Sequence, residues 1–323
     1  MKNSLIVISI ALIVVVGVAG LYFGGAFSPP PVTVRIGYLQ GDLHQLALHV
    51  AISQGYFIQN GINYSLVEFP NGPTLMQSFV IGDLDFAYVG VPPAINARAK
   101  AMSDQNAHLP VAIASVNLEG SALVTKPEIQ TLADLNNTRI GTPGTGTIQD
   151  ILISMFAKQN NLTITKYTGR ISELPIFFST NQIDGFIGWE PAPSISIVQS
   201  NASVFLRSGE ILDDHQCCVL VVSNKYLTSN PDVVSRMVKV HNAAMDFINS
   251  NPSIAKSVAQ NYTLLSAQVI DVAFNDVVYS KTINSLSIKI FLSAMIDLGV
   301  ITNLNQSQVD DFVSAFVDTR FIT

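Results

Sequence analysis

From Val32 onward, apolar and polar positions switch between two periods, and the switches mark the elements. "VTVRIGYL" (32–39) reads as a strand, after which Leu43, Leu46, Ala47, Val50 and Ala51 recur at helical spacing, with Gly55 placed to close that helix. "INYSLVEF" alternates with period two and predicts a second strand. Pro73 to Ile81 predicts a short helix, "LDFAYVG" a strand, and "PPAINARAKA" a helix opened by proline, whose missing N–H is harmless in a first turn. Such alternation predicts an α/β fold with a largely parallel sheet. After the strand "CCVLVV" the pattern turns helical, with helices expected over 231–249, 251–262, 266–275, 286–298 and 306–317.

The order of elements also repeats. "RIG" at Arg35–Gly37 opens a strand–loop–helix, and "RIG" at Arg139–Gly141 opens another. "SFVIGDLDFAYVGVPP" (78–93) then resembles "IFFSTNQIDGFIGWEPAP" (176–193): a helix end, a polar turn, Leu or Ile before Asp, an apolar strand, then proline. Two such blocks in one order suggest two lobes on one plan. The chain is expected to cross between them near 118–122 and again near 218–223, giving a first lobe of 32–121 plus 222–323 and a second of 122–221.

Residues 1–31 stand apart. Leu5 to Phe27 carries no charge and would span about 34 Å as a helix, enough for the roughly 30 Å hydrocarbon core of a bilayer. Lys2 precedes it and the next basic residue is Arg35, which leaves the bulk of the chain outside. An uncleaved membrane anchor is therefore expected, followed by a stiff proline spacer. A signal peptide cleaved near Val18-Ala19-Gly20 is the rival reading. The remaining length suits two domains. Only 12% of residues are charged, and the net charge of −6 argues against a nucleic-acid partner. Asn-x-Ser/Thr sequons at Asn63, Asn136, Asn161, Asn201, Asn261 and Asn305 exceed the roughly three that chance supplies and agree with a glycosylated, exported chain.

Four stretches are candidates for ligand chemistry. "IGTPGTGTIQD" (140–150) lacks the lysine of a P-loop and the spacing of a dinucleotide fingerprint, which excludes both. It does end in a capping box, with Thr147 as cap and Asp150 reaching back, so its glycines bring a ligand close to a positive helix end. "GWEP" holds the single tryptophan, Trp189, beside Glu190 at the C-terminal end of an expected strand, where open α/β sheets bind ligands. "QGDLHQLA" places Asp42 and His44 at a loop-to-helix junction, with Asp42 also suited to capping the helix. "NLEGSALV" sets Gly120 and Ser121 at the first crossover. No catalytic constellation emerges: the five histidines lack metal-type spacing, no Gly-x-Ser-x-Gly elbow occurs, and neither cysteine has a local partner. The adjacent pair Cys217-Cys218 is open to two readings, buried thiols in a strand or a strained vicinal disulfide.

Together with "GYLQGDLHQLALHVAISQGYFIQNGI", "IGDLDFAYVGVPPAI" and "HQCCVLVV", these stretches resemble, in order, the solute-binding proteins of ABC importers in the nitrate/sulfonate/taurine-type group, which includes binders of thiamine-pyrimidine precursors. The resemblance implies a two-lobed periplasmic-binding-protein-like α/β fold of type II, with two hinge crossovers, closing on a small ligand. It also implies delivery to a membrane permease driven by a cytoplasmic ATPase, so that this chain has no ATP site; no cofactor, metal or catalysis is expected in it, and it is expected to act as a monomer. Carried over by position, the ligand-binding residues would be Asp42, His44, Gly90, Val91, Glu119, Gly120, Ser121, Thr145, Gly146, Thr147, Trp189 and Glu190. That set has three carboxylates and no Arg or Lys, so a neutral or amine-bearing ligand is expected rather than an inorganic anion. The alternatives are a pyrimidine-synthase-like enzyme of the same fold, a sensory ectodomain and an adhesive surface domain.

Overall fold

Eleven strands form among residues 32–321, the part of the chain that the computed structural model describes. One set comprises β1 (Val32–Leu39), β2 (Ile62–Phe69), β3 (Phe86–Gly90), β4 (Pro110–Glu119), β10 (Gln216–Ser223) and β11 (Val277–Val278), in the order β11-β4-β10-β3-β1-β2. The other comprises β5 (Ser121–Thr125), β6 (Arg139–Thr142), β7 (Thr165–Thr168), β8 (Gly185–Trp189) and β9 (Ser203–Arg207), in the order β7-β6-β8-β5-β9. Every residue of β3 and β8 is buried. Strands covered on both faces read as continuous apolar runs, which is why "FAYVG" and "GFIGW" show no alternation.

The internal repeat has a physical counterpart. Arg35 at the head of β1 donates to Asp85 from its backbone N (2.8 Å) and its guanidinium (3.1 and 2.7 Å), while Asp85 N donates back to Arg35 O at 2.9 Å. Arg139 at the head of β6 makes the same set with Asp184, at 2.9, 3.1 and 2.9 Å, and Asp184 N returns to Arg139 O at 2.9 Å. Each pair locks two parallel neighbours in register, Ile36 opposite Phe86 in one sheet and Ile140 opposite Gly185 in the other. Arg139, bonded to the Asp184 carboxylate, holds it well below the usual range. Bidentate geometry of this kind fixes direction as well as distance.

Neither sheet is largely parallel, contrary to the expectation from alternation. β1 and β3 are parallel, as are β6, β7 and β8, but β10 runs antiparallel to β3 and β4, and β5 antiparallel to β8 and β9. A strand returned by a helical crossover runs parallel to its predecessor. β5 and β10 instead arrive directly from the other sheet. The first passage is tight, since β4 ends at Glu119 and β5 begins at Ser121. The return lies at 208–215 rather than 218–223: the whole of β10 pairs with β3 and β4, because its apolar run fills the gap between them.

The helical tail follows the pattern closely, with Pro231–Ser250, Pro252–Thr263, Ala267–Phe274 and Ser285–Asp297, but its last segment splits into a 3-10 turn at Gln306–Gln308 and a helix at Val309–Phe316. The segment expected as an anchor, the alternative cleavage site and most of the proline spacer lie outside the described residues. Among the described residues no helix is long and apolar enough to cross a membrane.

Candidate functional site

The C-terminal ends of β3 and β8 meet at a small cavity of about 20 Å³. Leu39, Asp42, His44, Gly72, Gly90 and Pro93 line one side; Thr147, Ile148, Gln149 and Trp189 line the other, and Cys218 of β10 completes it. That is room for about one water molecule between the side chains.

The first wall is built by a stapled turn. Asp42 accepts from His44 N (2.9 Å) and Gln45 Nε2 (3.0 Å), capping the 3-10 turn Leu43–Gln45, while Gln45 Oε1 accepts Leu39 N at 2.8 Å. From the helical tail, Tyr262 and Tyr279 donate hydroxyls to Asp42 O (3.0 Å) and Leu43 O (2.8 Å). The His44 ring is thereby fixed, and its Nε2 lies 2.6 Å from Gly120 O. A carbonyl only accepts, so Nε2 carries a proton and Nδ1 faces the remaining partners: Cys217 Sγ at 3.4 Å, Asp42 Oδ1 at 3.6 Å and Cys218 Sγ at 3.8 Å.

Adjacent strand residues normally point to opposite faces. Breaks in register between β10 and β4 on both sides of Cys218 accompany the approach of both sulfurs to His44. They stand 3.9 Å apart as free thiols, far beyond the roughly 2.05 Å of a disulfide, so the structure has the buried-thiol form of this pair. Burial works against ionising Cys217, but the hydrogen bond from Cys218 and the nearness of His44 bring its thiol well below the usual range. That same hydrogen bond, with burial, pushes Cys218 well above it. Burial opposes charge on His44 as well, yet Cys217 and Asp42 lift it to about 10. Burial raises the Asp42 carboxyl to about 6. Wherever the proton between His44 and Cys217 resides, an ionised Asp42 leaves the cluster with a net negative charge.

The facing wall is the glycine stretch. Thr147 Oγ1 accepts Asp150 N at 3.3 Å and donates to Gly144 O at 2.7 Å. Asp150 reaches one residue further back than a standard capping box, to Gly146 N (2.9 Å), and pairs with Lys166 Nζ at 2.6 Å. The N–H groups of Ile148 and Gln149, first in the helix Ile148–Gln159, have no acceptor within it and belong to residues that border the cavity. Gln149 Nε2 is held by Ser121 Oγ at 2.8 Å. Ile148 packs so closely on Gly90 that a Cβ there would stand 2.7 Å from Ile148 Cδ1. The walls are also joined directly, because Glu190 accepts Leu43 N through its carbonyl and donates its N–H to Gly120 O, both at 3.0 Å.

Of the residues expected to bind ligand, Asp42, His44, Gly90, Thr147 and Trp189 border the cavity. Gly120, Ser121, Val91, Gly146 and Glu190 are buried without bordering it; Gly120 O bonds His44 and Ser121 Oγ bonds Gln149. Glu119 is half-buried at the crossover, bonded to Asp214 N at 3.0 Å, and Thr145 is exposed. Burial pushes the Glu190 carboxyl up to about 8; Ser194 N reaches its Oε2 at 3.3 Å, and Oε1 has no partner. Gln149 and Cys218 were not expected here. Gln149 was within sight, inside a quoted motif. The meeting of His44 with cysteines 173 and 174 residues away leaves no spacing to read.

Comparison with known proteins agrees with this architecture. A Brucella abortus protein named as a binding protein is 25% identical over 244 residues, 72% of each chain. A Bacillus subtilis protein named as an aliphatic-sulfonates-binding protein is 23% identical over 302 residues, 87% of this chain and 88% of that one. Among solved structures, the periplasmic nitrate-binding protein of Synechocystis PCC 6803 superposes with a TM-score of 0.76 at 14% identity, over 91% of this chain and 88% of its own, which shows a shared fold. The sequence profile of the NMT1-like family matches residues 28–263, and with most of its length inside that match the chain belongs to the NMT1-like family.

Proposed function

We propose that this chain is the extracytoplasmic solute-binding component of an ABC importer, which closes its two sheets around a small polar organic molecule and presents it to a membrane permease. The observation that carries the reading is the cavity itself, lined from both sheets at the C-terminal ends of β3 and β8, with two chain passages between the sheets about which the halves can bend. Relatives named as binding proteins and the shared fold support it. His44 and Cys217 have the ingredients of an activated thiol, but Cys217 does not border the cavity, so binding rather than catalysis is the role proposed. Tethering by residues 5–27, glycosylation and a monomeric state belong to the same proposal; all six sequon asparagines are exposed.

The ligand is neutral or amine-bearing. No Arg or Lys borders the cavity, and the acidic residue that does is Asp42. Trp189 offers an indole face, with an Nε1–H that has no partner. Trp189 also borders an open groove of about 400 Å³, lined by Ile171, Pro175, Ile195 and other uncharged residues. Because Trp189 is the single tryptophan, it reports on its own site. Titrating the full-length protein with amines, pyrimidines, sulfonates, nitrate and bicarbonate should give a saturable fluorescence change with an amine or a neutral heteroaromatic compound. A response confined to nitrate or sulfonates would overturn the ligand class, and silence from every class in both fluorescence and calorimetry would overturn the transport reading.

A further inference from the structure

We propose that His44, Cys217 and Cys218 form a binding site for a thiophilic d10 metal cation, of which Zn²⁺ is the type, with its fourth position opening into the cleft. The separations of the donor atoms carry the assignment. A tetrahedral zinc with bonds of about 2.3 Å to sulfur and about 2.0 Å to nitrogen requires about 3.8 Å between two sulfurs and about 3.5 Å between nitrogen and sulfur. The observed distances are 3.9 Å between the sulfurs and 3.4 and 3.8 Å from each to His44 Nδ1, so these three edges already approach the required shape.

Three further observations agree. The bond from His44 Nε2 to Gly120 O, at 2.6 Å, makes Nδ1 the nitrogen that can give up its proton to a metal and orients the ring, as a metal-bound histidine is usually oriented by a backbone carbonyl. Two thiolates, a neutral imidazole and a divalent cation sum to zero charge, a cheaper arrangement to bury than two thiolates alone. Asp42 Oδ1 stands 3.6 Å from Nδ1 and is buried, placing an oxygen acceptor beside the ring. His44 and Cys218 border the cavity, so the open position faces it and would take water or a donor atom of a solute. A site with three protein ligands and one free position is the exchangeable kind, not the closed structural kind. This goes beyond solute binding and stands without it.

The reduced, full-length protein is titrated anaerobically with Co²⁺ and no organic solute, then with Zn²⁺ in competition with a chromophoric chelator. One equivalent of Co²⁺ should produce sulfur-to-cobalt charge-transfer absorption, and Zn²⁺ should abolish it. Outer partners of a metal site are worth about 10–100-fold in affinity, so Cys217→Ser and Cys218→Ser, each removing a direct ligand, should weaken Zn²⁺ binding by at least about 100-fold. Absence of the charge-transfer band in the unaltered chain overturns the proposal, as does unchanged Zn²⁺ affinity in both serine variants. The first result needs no variant to fold. Solute binding without the band removes only the metal site, and the band without any solute response leaves the site standing.

Discussion

Gly120→Ala tests whether the His44 turn and the first chain passage are one mechanical unit. Gly120 has φ of +85°, and a Cβ there would stand 2.5 Å from His44 Nε2, the atom that donates to Gly120's own carbonyl. The backbone contribution is about 1 kcal/mol or slightly more for a non-glycine residue at positive φ. The contact must also open by about 1 Å to reach ordinary van der Waals separation, and the ring has Asp42 and Cys217 close behind it. Breaking the Nε2 bond leaves a buried N–H unpaired, at about 1–3 kcal/mol. The total of about 2–4 kcal/mol is a large share of the 5–15 kcal/mol that holds a typical domain folded. Gly41→Ala is the internal control, since Gly41 has φ of +60° and nothing within 4 Å of its would-be Cβ, so only the backbone contribution applies. Equilibrium urea unfolding of both variants isolates the difference, expected at about 1–3 kcal/mol in favour of Gly41→Ala. Equal losses would refute the claim that His44 is braced against the passage.

Gly90→Ala separates closure from stability: no φ in the left-handed region constrains Gly90, but the new methyl meets Ile148 across the cleft. Affinity for whichever solute quenches or enhances Trp189 should fall about tenfold, because the roughly 1–3 kcal/mol that one overpacked methyl typically costs falls on the closed cleft, while a form with the cleft open loses less than about 1 kcal/mol. Acid stability should report on His241, whose Nε2 donates to Ser115 O at 2.7 Å while Nδ1 faces the Tyr88 hydroxyl at 3.2 Å. Burial depresses its pKa to about 4, below the unfolded value near 6.5, so its contribution is present above pH 6.5 and is lost as pH falls toward 4. Between pH 7 and pH 5 the loss from this one residue is about 2 kcal/mol. Because the raised Glu190 and Asp42 carboxyls shift stability the other way on acidification, the loss is read as the difference in denaturant midpoint change between the unaltered chain and His241→Gln at the two pH values, and an equal change in both would contradict a neutral, buried His241.

The sequence by itself determined what local periodicity and short-range chemistry can encode. "INYSLVEF" became β2 at the expected residues, and the helical tail from Pro231 to Asp297 follows its apolar spacing. The doubled "RIG" and Leu/Ile-Asp blocks were legible as a repeat because each encodes the same Arg–Asp brace between parallel neighbours. Thr147 was legible as a cap because its partner is three residues away. Only the tertiary structure decided which sheet β10 joins, since an apolar run of its length fits either until the gap between β3 and β4 is known. It also decided that Cys218 and Gln149 border the cavity while Glu190 does not, through bonds to residues far away in the chain. The His44–Cys217–Cys218 cluster is the clearest case. No spacing relates residues 173 positions apart, and adjacent strand residues would send their side chains to opposite faces were it not for the irregular pairing of β10 with β4, which the sequence does not mark.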